Sequence, residues 1–256
     1  MSLSDILVCL DASEAGEGRF KLAVHLASQH HAHLTGAYVL GDGGDAPARA
    51  ERTEQRFRET LRLHQIGGEW RLIDGPDTGE IVSLAKSVDL AILGQYSRDA
   101  NGTGFKPDEV ATACGRPLLI VPYVGEFATV GNHVLIAWDG TREGTRALND
   151  ALPLLEGAKS ATVMIVLSQE REFPRAHAAL HRMVGHLEHH GVQARAEETL
   201  RGDLTISDLL LSRAADLGAD MIVAGAYHHS PLREALIGGV SRELLQHMTV
   251  PVLMSH

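Results

Sequence analysis

The chain has 256 residues, 44% of them hydrophobic and 22% charged, with a formal net charge of −10. That length holds one large domain or two of ordinary size. The acidic balance excludes the basic footprint of non-specific nucleic-acid binding, and no apolar run reaches the about 18–20 residues of a membrane helix.

In chain order, the start Met1-Ser-Leu-Ser-Asp reads as no secretory signal, lacking a basic segment before a long apolar one. Ile6-Leu-Val-Cys-Leu-Asp11 is a short apolar strand ending on an acid, and a helical pattern follows it. Later come Asp89-Leu-Ala-Ile-Leu-Gly-Gln-Tyr96 and Arg116-Pro-Leu-Leu-Ile-Val-Pro122. The same three segments then return in the same order: Val134-Leu-Ile-Ala-Trp-Asp139, Asp220-Met-Ile-Val-Ala-Gly-Ala-Tyr227 and Val250-Pro-Val-Leu-Met-Ser-His256. Half a chain separates the copies. The sequence therefore holds two repeats, with boundaries expected at 1–125 and 130–256, joined by the short link Val124–Gly131.

The second repeat opens with a near-continuous apolar strand, His133–Trp138, as expected where both faces are covered. Asp139-Gly140-Thr141 breaks it, and residues 142–156 carry apolar positions at three- and four-residue spacing up to Gly157. A strand at Ala161–Leu167, a helix at 174–190 closed by Gly191, and an edge strand at Val192–Leu200 are expected next. Ser207–Leu217 predicts a third helix, capped by Ser207 and stopped by Gly218. Met221–Ala224, Gly238–His247 and Val250–Met254 complete the series as strand, helix and strand, and the first repeat runs through the same order from Ile6 to Val121. Strands alternating with helices predict an α/β fold: two tandem doubly wound parallel-sheet domains, Rossmann-like in architecture.

In such a sheet a ligand binds beyond the carboxyl ends of the strands, where the strand order reverses. Two loops of the second repeat have that position, Asp139–Thr141 and Gly225–Gly239. The second ends in Gly238-Gly239 at the start of a helix, where free N–H groups and the helix dipole favour an anion. The same glycines also serve simply to end a strand and begin a helix, and spacing alone does not separate the two readings.

These residues resemble the universal stress protein family, in its tandem, two-domain form, over almost all of both repeats. The family's nucleotide-binding members carry Gly-x2-Gly-x9-Gly-Ser/Thr between strand four and helix four, and an aspartate after strand one. The second repeat reads Gly225-x2-His228-x9-Gly238-Gly239-Val240: the spacing is kept, but His228 replaces the middle glycine and Gly239 the hydroxyl residue, with Ser241 two positions later. The resemblance implies a site for ATP or another adenine nucleotide, with magnesium. Asp139, Gly140, Leu167, Gly225, His228, Gly238, Gly239, Val240 and Ser241 would line it, Asp139 and the backbone at Leu167 holding ribose and adenine. It also implies that the fifth strands, Leu118–Val121 and Val250–Met254, pair so that the repeats pack as a pseudo-dimer, and it makes homo-oligomers an expected habit.

The first repeat keeps Asp11, but its loop from Gly94 is three residues shorter, and Phe105-Lys106-Pro107 stands where the second has Gly239-Val240-Ser241. Its site is expected to be degenerate and its role structural. Fifteen histidines suggest metal, and His186 and His190 share a helix face, yet no third ligand stands nearby in the sequence, so solvated helix-end histidines are the expectation. Two cysteines without a framework suggest reduced thiols and a cytoplasmic location. No Gly-x-Ser-x-Gly elbow, Walker-type Gly-Lys-Ser/Thr or Gly-x-Gly-x-x-Gly after strand one is present. The reading is a stress-response binding and signalling module, with no catalytic or metal residue assigned and no nucleic-acid or membrane partner. The alternatives are an interaction protein or sensor of another metabolite, and a slow nucleotide hydrolase.

Overall fold

The computed structural model describes residues 2–41, 45–75, 77–96, 106–226 and 239–256, and the chain divides into two compact units, Met1–Thr129 and Val130–His256. In the first unit the elements are β1 (Asp5–Leu10), α1 (Glu14–His30), β2 (His33–Leu40), α2 (Ala46–His64), β3 (Gly68–Asp74), α3 (Thr78–Lys86), β4 (Leu90–Gly94), α4 (Pro107–Cys114) and β5 (Leu118–Val121). Its strands pair in parallel in the order β3-β2-β1-β4-β5. Ile6, Leu7, Val8, Cys9, Ile92 and Leu93 have no solvent exposure, which accounts for the unbroken apolar runs of β1 and β4.

The second unit repeats the plan with β6 (His133–Ala137), α5 (Arg142–Ala151), β7 (Ser160–Leu167), α6 (Phe173–His189), β8 (Ala194–Leu200), α7 (Ile206–Leu217), β9 (Met221–Gly225), α8 (Gly239–His247) and β10 (Val252–Ser255). Its order is β8-β7-β6-β9-β10, again all parallel. The chain winds outward from β6 to β8, then crosses back to β9, so the reversal lies between β6 and β9. The fold is thus the α/β arrangement expected, twice.

Three local expectations change. The helix after β6 stops at Ala151 and continues as a 3₁₀ turn, Leu152–Leu155. Pro153 has no N–H for the carbonyl four residues back, and the Leu152 N–H bonds to Asn149 instead. Helix α7 is capped by Thr205, whose hydroxyl accepts from the Asp208 N–H at 3.0 Å, and not by Ser207. Ser207 is fully buried in the first turn, two residues past the cap, where its hydroxyl donates to the carbonyl of Val240 at 3.1 Å. The last strand begins at Val252 rather than Val250, because Pro251 offers only its carbonyl, which accepts from Ile222 at 2.9 Å.

Candidate functional site

Parallel register builds one wall of a cavity in the second unit. Met254 pairs with Ala224, Ala224 with Ala137, and Ala137 with Met164, so four neighbouring strands present one row of side chains near their carboxyl ends. Val166 lies two residues beyond Met164 on the same face of β7. Helices α7 and α8 face this row with Ile206, Leu210 and Leu244. The resulting cavity has a volume of about 230 Å³. Its two small alanines leave the depth, and its thioethers and branched side chains make the floor apolar.

Polar groups stand at the rim. Asp139 follows β6 and is exposed. Its Oδ1 accepts from the Thr141 N–H at 3.0 Å and from the Thr141 hydroxyl at 2.5 Å. Thr141 in turn caps α5 by accepting from the Gly144 N–H at 3.0 Å. The aspartate is therefore fixed by the helix it precedes. Gly225 ends β9 against the first turn of α5, where a Cβ would lie 2.6 Å from the Gly144 nitrogen. Only glycine permits this approach of the two backbones.

On the opposite rim α8 opens with Gly239, Val240 and Ser241. The first N–H groups of a helix have no partner within it and carry its positive dipole end. The Ser207–Val240 hydrogen bond fastens this first turn to α7.

Of the residues expected to line a site, Asp139, Gly225, Gly239, Val240 and Ser241 thus meet around one cavity. Gly140 turns the chain at φ +78° just outside the lining. Leu167 is also outside it: strand alternation sends its buried side chain to the other face of β7, and its carbonyl accepts from the Arg201 N–H at 2.9 Å. His228 and Gly238 lie outside the described residues. The apolar lining of Met164, Val166, Ile206 and Met254 was not singled out from the sequence. Its signal was there in the alternate positions of the strands next to the reversal.

The matching end of the first unit is built differently. Asp11 accepts from the Ser13 N–H at 2.9 Å and from the Ser13 hydroxyl, and Ser13 caps α1 through the Gly16 N–H at 3.0 Å. Here, however, Arg19 is buried and its Nη2 binds the second oxygen of Asp11 at 2.5 Å. Burial alone would push the Asp11 carboxyl up, but the Arg19 guanidinium and the hydrogen bonds from Ser13 and Arg19 outweigh it and hold it below the usual value. Pro107 occupies the first position of α4, where its missing N–H leaves no gap in the helix.

Among the described residues, no group of three or more His, Cys, Asp or Glu side chains is placed to hold a metal ion. His186 and His190 do stand together, ring centroids 4.8 Å apart, with His186 Nε2 3.0 Å from the Asn149 side-chain oxygen. No described helix is long and apolar enough to cross a membrane.

Residues 132–256 match the model of the Universal stress protein family. No curated protein matches the chain in sequence. Among solved structures, a universal stress protein from Archaeoglobus fulgidus DSM 4304 is 17% identical, with TM-score 0.71 over 98% of this chain and 95% of its own. A functionally unknown protein from Pseudomonas aeruginosa PAO1 is 18% identical, with TM-score 0.62 over 99% and 92%. A universal stress protein in complex with cAMP is 21% identical over 48% of this chain and 100% of its own, with TM-score 0.40. The second unit thus carries a domain of the Universal stress protein family, at residues 132–256, and a first unit of the same strand order precedes it.

Proposed function

We propose that the second unit is a receptor for an adenine nucleotide, and that the protein acts in stress response as a binding module. The observation that carries this reading is the cavity at the β6–β9 reversal, which pairs an apolar slot with an aspartate on one rim and a helix N-terminus on the other. A purine ring suits the slot between the Met254–Ala224–Ala137–Met164 row and Ile206 and Leu210. The Asp139 carboxylate then accepts from ribose hydroxyls, and the opening amides of α8 face the phosphates. At about 230 Å³ the cavity takes the base, and sugar and phosphates extend along the rim.

A nucleotide with magnesium is consistent with this placement, the ion being carried by the phosphates. A second reading, in which the slot takes another flat apolar metabolite, is favoured by His228 standing at the family's glycine position. Thermal denaturation with adenosine, AMP, ADP and ATP, with and without magnesium, separates the two. A ligand at a hundred times its dissociation constant stabilises the fold by about 2.7 kcal/mol, read as a rise in melting temperature. A rise with adenine nucleotides and none with uridine nucleotides is expected. No rise with any adenine compound overturns the adenine reading.

A further inference from the structure

We propose that Arg19 is an internal ligand of the first unit: its guanidinium occupies the strand-end carboxylate oxygen that the matching aspartate of the second unit leaves open. The inference rests on the nucleotide reading for the second unit, but the occupancy itself is independent of it.

The two repeats match residue for residue across this turn. Asp11-x-Ser13-x2-Gly16-x2-Arg19-Phe20 stands opposite Asp139-x-Thr141-x2-Gly144-x2-Ala147-Leu148. Both aspartates accept from the hydroxyl residue that caps the following helix. Both glycines pack against the aspartate, at 2.5 Å from Asp11 Oδ1 and 2.7 Å from Asp139 Oδ1 for an added Cβ. The difference lies one turn further on. Arg19 reaches back along α1 and donates from Nε to the Cys9 carbonyl at 2.6 Å and from Nη2 to Asp11 Oδ2 at 2.5 Å. Its far side lies against Gly94 at the end of β4, so that a Cβ there would run into the guanidinium. Cys9, Asp11 and Gly94 mark the ends of β1 and β4, between which the strand order of the first unit reverses.

A planar cation therefore fills the place where a ligand of this fold would meet the carboxylate. The Asp11 side chain is only 13% exposed as a result. In the second unit Ala147 is fully buried but ends at its methyl group, Asp139 is exposed, and its Oδ2 accepts no hydrogen bond among the described residues. Gly225 meets the α5 backbone where Gly94 meets Arg19. The carboxylate oxygen that Arg19 occupies in the first unit is thus left open on Asp139 in the second.

Chemical rescue tests the occupancy without any nucleotide. Arg19→Ala should lower the melting temperature, and guanidinium chloride at millimolar concentration should raise it again relative to equal sodium chloride, while leaving the wild-type protein unmoved. Equal behaviour of the two salts in Arg19→Ala overturns the proposal. Should that variant not fold, Asp11→Asn/Arg19→Met removes both charges together. Its Asp11-to-Asn exchange should then abolish any guanidinium effect, and a persisting effect counts against the site. In the reverse direction, Ala147→Arg should move the Asp139 carboxyl carbon resonance seen by carbon-detected NMR at neutral pH. An unmoved resonance would show that reach from this position does not close the site. If nucleotides bind the wild type, Ala147→Arg should also lose that binding. If they do not, the rescue and the NMR shift still decide the role of Arg19.

Discussion

The Ser207 hydroxyl donates to the Val240 carbonyl at 3.1 Å, joining the first turn of α7 to the first turn of α8 across the candidate site. Both partners lie next to cavity residues: Ile206 precedes the serine, and Ser241 follows the valine. Ser207 is fully buried and the bond part-buried, so water reaches the freed carbonyl only in part. Ser207→Ala should destabilise the protein by about 1–3 kcal/mol. Amide exchange in Val240–Leu244 should quicken more than in α5, measured by mass spectrometry. Equal change in both helices would show that the serine stabilises generally and does not hold α8.

Gly225 approaches α5 so closely that an added Cβ would lie 2.6 Å from the Gly144 nitrogen and 2.8 Å from the Glu143 carbonyl carbon. Backbone cannot swing away as a side chain can. Gly225→Ala should cost about 1–3 kcal/mol in chemical denaturation, the usual size of an overpacking effect. Gly18→Ala, on a helix where nothing lies within 4 Å, is the matched control and should be neutral or slightly stabilising.

The Asp11–Arg19 pair makes stability depend on pH in one direction. The folded Asp11 carboxyl is held below its ordinary value of 3.8, so its contribution is complete above the unfolded value and is lost as pH falls through the folded one. Acid denaturation should therefore show a limb below about pH 4 that shrinks in Asp11→Asn, since an Asn cannot titrate. Breaking the pair by Arg19→Ala should cost about 3 kcal/mol near neutral pH, because the largely buried carboxylate keeps only its hydrogen bonds from Ser13. An Asp11→Asn protein with the wild-type acid limb would place that limb elsewhere.

Cys9 lies fully buried in β1, and burial pushes its thiol up to about 12 although Arg19 opposes the shift. A thiol so little ionised is a poor nucleophile at physiological pH. Alkylation by iodoacetamide at pH 8 should leave Cys9 intact in the native protein and modify it in denaturant, as peptide mapping would reveal. Labelling in the native state as fast as in denaturant would mean that β1 is not the closed strand described.

Repetition made the architecture legible, because each apolar run was short, ended at an acid, glycine, proline or serine, and recurred in order. Elements with competing local signals were harder. Thr205 and Ser207 both suit a helix cap, and only the Thr205-x-x-Asp208 spacing, which puts the Asp208 N–H over the threonine hydroxyl, separates them. Pro153 carried the signal for the shortened α5, outweighed by the regular spacing of Leu152 and Leu155. In the site, Asp139, Gly225 and Gly239 could be found from loop position and Ser241 from the family motif, whereas the apolar floor depends on register between distant strands. Leu167 was expected to act through its backbone, and its carbonyl accepts from the Arg201 N–H at 2.9 Å, a pairing that the sequence does not announce. Arg19 looks like an ordinary polar residue of an amphipathic helix until Ala147 is set opposite it.

Isothermal titration of ADP into the whole chain, beside Asp139→Ala and Ala224→Leu proteins, tests the central claim most directly. Leu at position 224 would stand in the middle of the cavity floor, and Ala at 139 removes the rim carboxylate. The expected result is one ADP per chain for the wild type, weakened by Asp139→Ala and abolished by Ala224→Leu, with both variants folded by circular dichroism. Two ADP per chain, no heat at all, or binding unchanged in both variants would contradict it.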